Sequence, residues 1–82
     1  MKVQKRDGRI VSYDAGKIRA AMEKANGAVE LGEQADEELI EETIRCVERQ
    51  AGDVLAVERI QDMIEEHLVM RNKYALAKKY MI

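Results

Sequence analysis

The 82-residue sequence contains no proline, phenylalanine or tryptophan, and it has one cysteine and one histidine. Without the large aromatic rings, a core must come from aliphatic residues, methionine and three tyrosines. No apolar run approaches the ~20 residues of a membrane-spanning helix, and the N-terminus lacks the apolar segment of a signal peptide. A single cysteine excludes an internal disulfide and a cysteine-based zinc site within this chain. These absences favour a small domain in a reducing, cytoplasmic setting, with no membrane partner.

Patterns typical of catalysis and metal binding are also absent. The sequence marks no nucleophile or orienting partner for His67, which favours a histidine at a helix surface or boundary. Cys46 adjoins apolar helix positions and is predicted to be a buried structural thiol. The glutamates lack the loop spacing of a calcium site and have no histidine nearby. Gly16-Lys17 lacks the earlier glycine and the following Ser/Thr of a phosphate-binding loop. We therefore expect no catalytic residues and no protein-based metal site.

The segment 3–18 carries the clearest structural signals. Asp7-Gly8 separates two short strand-like runs and predicts a β-hairpin with a type I′ turn, which needs positive φ at both central residues. Asp14 can cap a following helix, whose N-terminus carries partial positive charge that favours a phosphate. The same segment holds the densest basic cluster, formed by Lys5, Arg6, Arg9 and Lys17.

Hydrophobic periodicity predicts four helices along the remaining chain. The first runs over 15–26, where Asn26-Gly27 favours a left-handed C-terminal stop. Residues 27–35 form a loop, and Asp36 caps a second helix that ends near 50–52. The run 53–57 is short and apolar, so it can be either a strand or a connector.

The third helix begins near Val57, and the last begins near Lys73. The pattern of the last helix predicts four buried residues: Tyr74, Ala77, Tyr80 and Met81. This pattern is still helical at Ile82, with no stop signal. We expect either a domain cut from a longer polypeptide or a helix that ends at the chain terminus.

Charge is unevenly distributed, although the net charge is only −2. Residues 1–24 carry +4, residues 25–69 carry −10 and residues 70–82 carry +4. Packing could bring both basic ends to one face that suits a polyanion, or the ends could simply attract the acidic middle. The net charge, a pI near 5.4 and the lack of an aromatic stacking ladder argue against nucleic acid as the partner.

Three motifs carry a family resemblance. They occupy residues 3–18 (VQKRDGRIVSYDAGKI), 57–62 (VERIQD) and 73–82 (KYALAKKYMI). In this order they resemble the ATP-cone domain over essentially the whole chain. The third looks most like the N-terminal cone of anaerobic ribonucleoside-triphosphate reductases. The resemblance implies an α+β fold for residues 1–82, with a small bundle of about four helices capped by a short hairpin or three-stranded sheet.

The resemblance also implies an allosteric site for ATP or dATP, usually with Mg²⁺, that reports the nucleotide pool to the catalytic domain of the parent reductase. Lys5 and Arg6 would meet the phosphates, Val3 would flank the base, and Ile60 and Gln61 would approach the adenine and sugar. By motif position, the expected nucleotide-binding residues are Val3, Lys5, Arg6, Lys17, Ile18, Ile60 and Gln61. The domain itself would perform no chemistry.

Two other classes of function stay open. One is the nucleotide-sensing module of a transcriptional repressor, in which a cone is joined to a zinc ribbon. That ribbon needs paired Cys-x-x-Cys motifs, and this chain has none. The other is a domain that binds an acidic protein through its basic ends. Self-association is also left open.

Overall fold

The computed structural model describes residues 1–50 and 52–81. The elements, in chain order, are β1 (Lys2–Gln4), β2 (Ile10–Ser12), α1 (Ala15–Asn26), a 3₁₀ helix (Leu31–Glu33), α2 (Glu37–Arg49), β3 (Val54–Ala56), α3 (Val57–Met70) and α4 (Tyr74–Lys79). Four α-helices and one three-stranded sheet are thus present within these residues. The predicted α+β class and the four-helix count are confirmed.

The sheet has β1 at its centre. β2 lies antiparallel to β1 with Val11 opposite Val3, and β3 lies parallel to β1 with Leu55 opposite Val3. The segment 53–57 therefore contains a strand. The sequence left this segment ambiguous, because a short strand is stabilised by pairing with a neighbour rather than by its own propensity. Here β3 pairs with the edge of β1 that β2 leaves free.

The hairpin exists, but its turn is not of type I′. The amide of Gly8 donates to the carbonyl of Lys5 at 2.9 Å, and the amide of Lys5 donates to the carbonyl of Arg9 at 2.8 Å. Gly8 has φ 90°, whereas Asn72 is the only non-glycine with positive φ in the described chain, so Asp7 does not adopt the conformation that type I′ requires. The pattern is that of a turn followed by a left-handed glycine bulge, the usual form of a longer hairpin loop.

Both predicted N-caps are confirmed. Asp14 accepts a hydrogen bond from the amide of Gly16 at 2.9 Å, and Asp36 accepts one from the amide of Leu39 at 2.8 Å. α1 ends at Asn26 with Gly27 as its C-cap, as predicted, but the predicted left-handed conformation is wrong, because Gly27 has right-handed geometry with φ −66°. The side chain of Asn26 holds the loop that follows: its Nδ2 donates to the carbonyl of Ala35, and its Oδ1 accepts from the amide of Ala35.

α2 ends at Arg49, with Gln50 as its C-cap. Ala51, which was expected to help end this helix, lies outside the described residues. The loop that follows α1 is not wholly irregular, since it contains the 3₁₀ helix.

α3 is the central element of the bundle and packs against α2, α4 and β3. The apolar face of α3 is buried, with Ile64 and Leu68 fully inaccessible. Burying a large aliphatic side chain contributes about 1.5–3 kcal/mol, which explains how a chain without Phe or Trp forms a core. The fully buried side chains are Tyr80, Ile18, Met22, Ile60, Ile64, Leu68, Leu76, Val47 and Thr43.

The C-terminal helix is shorter than its pattern predicts. α4 stops at Lys79, and Tyr80 is extended. Ala77 and Tyr80 are buried as predicted, but Tyr74 is 55% exposed and Met81 66% exposed, so those two predictions are wrong. Met81 lies beyond the end of α4, where the chain has left the helical phase. Tyr74 is the first residue of α4, and its exposed hydroxyl donates to Oδ1 of Asn72 at 3.1 Å. Ile82 lies outside the described residues.

Basic residues near both ends of the chain do pair with the acidic middle. Arg19 on α1 contacts Glu37 and Glu41 on α2, and Arg71 after α3 contacts Glu42 on α2 at 2.5 Å. These exposed or half-exposed pairs contribute little individually. They show that part of the basic charge is paired with the acidic middle of the chain.

Candidate functional site

A pocket of about 340 Å³ opens between the hairpin, the start of α1 and the first turn of α3. Its volume falls in the range of small-molecule sites in proteins. The lining residues come from elements distant in sequence and are Val3, Lys5, Arg6, Asp7, Val11, Ser12, Tyr13, Asp14, Lys17, Ile18, Val57 and Ile60.

The pocket brings together six of the seven residues that the motifs mark for nucleotide binding. They are Val3, Lys5, Arg6, Lys17, Ile18 and Ile60. The sheet makes this possible, because β1 lies between β2, which leads into α1, and β3, which leads directly into α3. No residue from 70–81 lines the pocket, so the two basic ends of the chain do not share this site.

The floor of the pocket is apolar and belongs to the core. Val3 is 8% exposed, and Ile18 and Ile60 are each 1% exposed. Val11 and Val57 pack against the same core and complete the apolar surface. A flat apolar group such as a purine ring could be desolvated against such a floor.

The rim of the pocket is basic. The ammonium groups of Lys5 and Lys17 form no salt bridge or hydrogen bond with any residue that the structure describes. Arg6 has one ionic neighbour, since its Nε lies 3.5 Å from Oε1 of Glu58 on the first turn of α3. Two lysines outside any ion pair and a weakly held arginine form a site to which a polyanion can bind without breaking strong internal pairs.

The two carboxylates of the pocket are already engaged by N–H groups. Asp7 accepts from the backbone amide of Arg9 at 3.1 Å and from its Nε at 2.7 Å. These bonds, the backbone one first, hold the pKa of Asp7 below its ordinary value. Asp14 caps α1 through Gly16. Since Asp14 occupies the start of α1, attraction of an anion depends more on the lysine and arginine side chains than on free amides.

Gln61 does not line the pocket. Its side chain is 9% exposed, and its amide nitrogen donates to the backbone carbonyl of Tyr80 at 2.8 Å and to Oε2 of Glu65 at 3.0 Å. One helical position separates Gln61 from Ile60, yet the two side chains face different surroundings, because successive residues of a helix point about 100° apart. Its expected contact with the nucleotide stays a prediction.

Several lining residues were not among the expected contacts. Tyr13 and Asp14 lie in the first motif and Val57 opens the second, so the motifs do contain a signal for them. Tyr13 is half-buried, and burial, followed by the nearby Glu48 carboxylate, raises the pKa of its hydroxyl. Val11 and Ser12 also lie in the first motif, but only the pairing of their strand with β1 shows that they line the pocket.

Other candidate groups lie away from the pocket. Cys46 is half-buried rather than fully buried as predicted. Nε2 of His67 lies 3.3 Å from Oε1 of Glu42, which also accepts from Arg71. Among the described residues there is no cluster of three His, Cys, Asp or Glu side chains suited to a metal ion. No described helix is long and apolar enough to cross a membrane.

Comparison with known proteins identifies the family. The model of the ATP cone domain matches residues 1–82. The chain is also 29% identical, over its whole length, to the ribonucleoside-diphosphate reductase subunit alpha of Chlamydia trachomatis serovar D, of which it covers 9%. That relative is a diphosphate reductase subunit, so the closer resemblance to anaerobic triphosphate reductases stays a prediction. The family match and the motif residues gathered in one pocket together show that this chain belongs to the ATP-cone family.

Proposed function

We propose that the domain binds ATP or dATP, together with Mg²⁺, in the pocket between the hairpin, α1 and α3. The observation that carries this proposal is the convergence of six motif residues from three separate elements on one pocket. Lys5, Arg6 and Lys17 supply the cations, while Val3, Ile18 and Ile60 supply an apolar floor. An adenine nucleotide combines the two matching properties, an apolar ring and a compact chain of negative charge.

At the basic rim, Lys5, Arg6 and Lys17 bind the phosphates by charge-assisted hydrogen bonds. The unpartnered ammonium groups of Lys5 and Lys17 require no internal rearrangement to do so. At the apolar floor, Val3 and Ile60 flank the base, and this contact is not screened by salt. The two parts should therefore respond differently to ionic strength, which gives the proposal a clear experimental signature.

The carboxylates present do not form a cage for Mg²⁺. Asp7 is held by Arg9, and Asp14 caps α1. Mg²⁺ in nucleotide sites is commonly bound by phosphate oxygens, water and one or two carboxylates. We infer that the ion enters with the nucleotide, and that this domain contributes at most an outer contact. Bound there, Mg²⁺ would reduce the phosphate charge that Lys5, Arg6 and Lys17 face.

We further propose that the domain is regulatory, reporting ATP or dATP to the catalytic domain of a cytoplasmic ribonucleotide reductase without performing chemistry itself. The family match and the reductase relative support this role. Because the chain spans only 9% of that relative, the parent enzyme, its substrate and any self-association of the domain belong to the proposal.

The decisive experiment compares ATP, AMP and inorganic triphosphate by thermal melting and titration calorimetry at low and high salt, with and without Mg²⁺. A ligand that binds only the folded state raises the melting temperature by mass action. We expect ATP to stabilise most, and its advantage over AMP to shrink with salt because ions screen exposed charge over about 8–10 Å. ATP should still exceed inorganic triphosphate at high salt.

The alternatives predict other outcomes. Equal, salt-sensitive shifts from ATP and inorganic triphosphate would leave only a basic patch. No shift from any ligand would favour a domain that binds acidic proteins. A repressor module would bind nucleotide as well, and is separated by testing whether the protein that contains this domain binds DNA or has reductase activity.

A further inference from the structure

Arg6 lies between two concave surfaces. On one side it lines the nucleotide pocket, and on the other it lines a smaller hollow of about 230 Å³ behind the hairpin turn. Glu58 lines only the hollow, and its Oε1 lies 3.5 Å from Nε of Arg6. The carboxylate therefore draws the guanidinium of Arg6 toward the hollow, which Lys5 also lines.

The ion pair between Arg6 and Glu58 is weak enough for a phosphate to replace the carboxylate. Both side chains are more than half exposed, at 53% for Arg6 and 71% for Glu58, and exposed ion pairs are weak. Neither Lys5 nor Lys17 forms an ion pair within the described chain, although the charge of Lys5 helps to lower the pKa of Asp7. Asp7, the acid next to Arg6 in sequence, is occupied by Arg9. Glu58 is thus the carboxylate that competes with a phosphate for a cation of this pocket.

We propose that Glu58 is a built-in competitor of the nucleotide, holding Arg6 on the hollow side when no nucleotide is bound. Binding transfers the guanidinium from the carboxylate to a phosphate oxygen. Glu58 thereby lowers the affinity of the site, so that it responds over a higher range of nucleotide concentration. The inference rests on the proposed function, since it assigns the phosphates to the side of the pocket that Arg6 lines.

The test is ATP affinity, by titration calorimetry, of wild type and Glu58→Gln, with Glu66→Gln as matched control. Glu66 is an exposed acid on the same helix, about 12 Å further along its axis, so its variant removes one charge without touching Arg6. We expect Glu58→Gln to bind ATP two- to fivefold more tightly than Glu66→Gln does, equivalent to about 0.4–1 kcal/mol. Thermal melts of both variants confirm that each is folded.

A second comparison isolates Arg6 itself. In an Arg6→Ala background, Glu58→Gln should give no more gain than Glu66→Gln, because the cation for which Glu58 competes is gone. Equal affinities of Glu58→Gln and Glu66→Gln, a weaker affinity of Glu58→Gln, or a gain that persists without Arg6 would each overturn the inference. Failure of wild type to bind ATP at all would instead overturn the proposed function, and this inference with it.

Discussion

The side-chain amide of Gln61 donates a 2.8 Å hydrogen bond to the backbone carbonyl of Tyr80, joining α3 to the extended segment that follows α4. Both residues are buried, and only 1% of the surface of Tyr80 is exposed. The extended carbonyl of Tyr80 lies beyond the hydrogen bonds of α4, so a side chain must satisfy it. Gln61 therefore has a structural role that the motif alone did not reveal.

We expect Gln61→Ala to lower the free energy of unfolding by about 1–3 kcal/mol, because the variant leaves a buried carbonyl without its donor. Urea denaturation followed by circular dichroism measures the change. Glu66→Ala, an exposed position on the same helix, serves as the control and should change stability little. Equal stability of the Gln61 variant and this control would show that the bond contributes nothing.

Lys5→Ala and Arg6→Ala should each weaken ATP binding without unfolding the domain. Loss of a hydrogen bond between charged groups costs about 1.5–3 kcal/mol, or roughly ten- to a hundredfold in affinity. Titration calorimetry supplies the affinities, with Lys24→Ala and Arg45→Ala as controls at exposed positions outside the pocket. If the controls lose as much as the pocket variants, the phosphate assignment to these side chains is wrong.

Gly8→Ala should destabilise the domain by about 1–2 kcal/mol, since a left-handed residue with a Cβ is strained. The space itself is open, because no atom beyond the two flanking residues would lie within 4 Å of the new Cβ. Gly32→Ala is the matched control, since its Cβ also meets nothing and its φ is not positive. Chemical denaturation of both variants separates backbone strain from crowding. A Gly8 variant as stable as the Gly32 variant would contradict the left-handed turn.

Alkaline pH should destabilise the fold through two tyrosines. Burial, as the main cause, raises the pKa of Tyr13 and of Tyr80 above the ordinary value near 10. The unfolded chain thus releases these protons first, so the free energy of unfolding is unaffected below about pH 10 and falls as the pH rises further. Denaturation midpoints measured between pH 8 and 11 should show this fall.

Tyr80→Phe removes one of the two ionisable groups and should make the alkaline fall shallower than in wild type. Absorbance of the phenolate, followed in the folded protein, gives an independent measure of when each hydroxyl ionises. An unchanged slope in the variant would show that the hydroxyl of Tyr80 is not protected by the fold.

The sequence by itself determined most of the secondary structure. Asp14 and Asp36 marked helix starts because N-capping is a local hydrogen bond between a side chain and amides two or three residues away. The span of α1 and the apolar face of α3 followed from 3.6-residue periodicity, which is also a local property. Asp7-Gly8 marked the hairpin, since the turn depends on a glycine that tolerates positive φ.

The tertiary structure decided what depends on neighbours distant in the chain. Val54–Ala56 became a strand because β1 offered an edge to pair with, and Tyr80 became buried outside a helix because Gln61 could hold its carbonyl. The basic residues at the two ends of the chain do not share one site, because no residue from 70–81 lines the pocket and Arg71 pairs with Glu42 on α2. Motif order indicated which residues belong to the site, but only packing showed that Ile60 faces the pocket while the adjacent Gln61 faces the core. Side-chain direction on a helix is set by what each face packs against, and that information is not local.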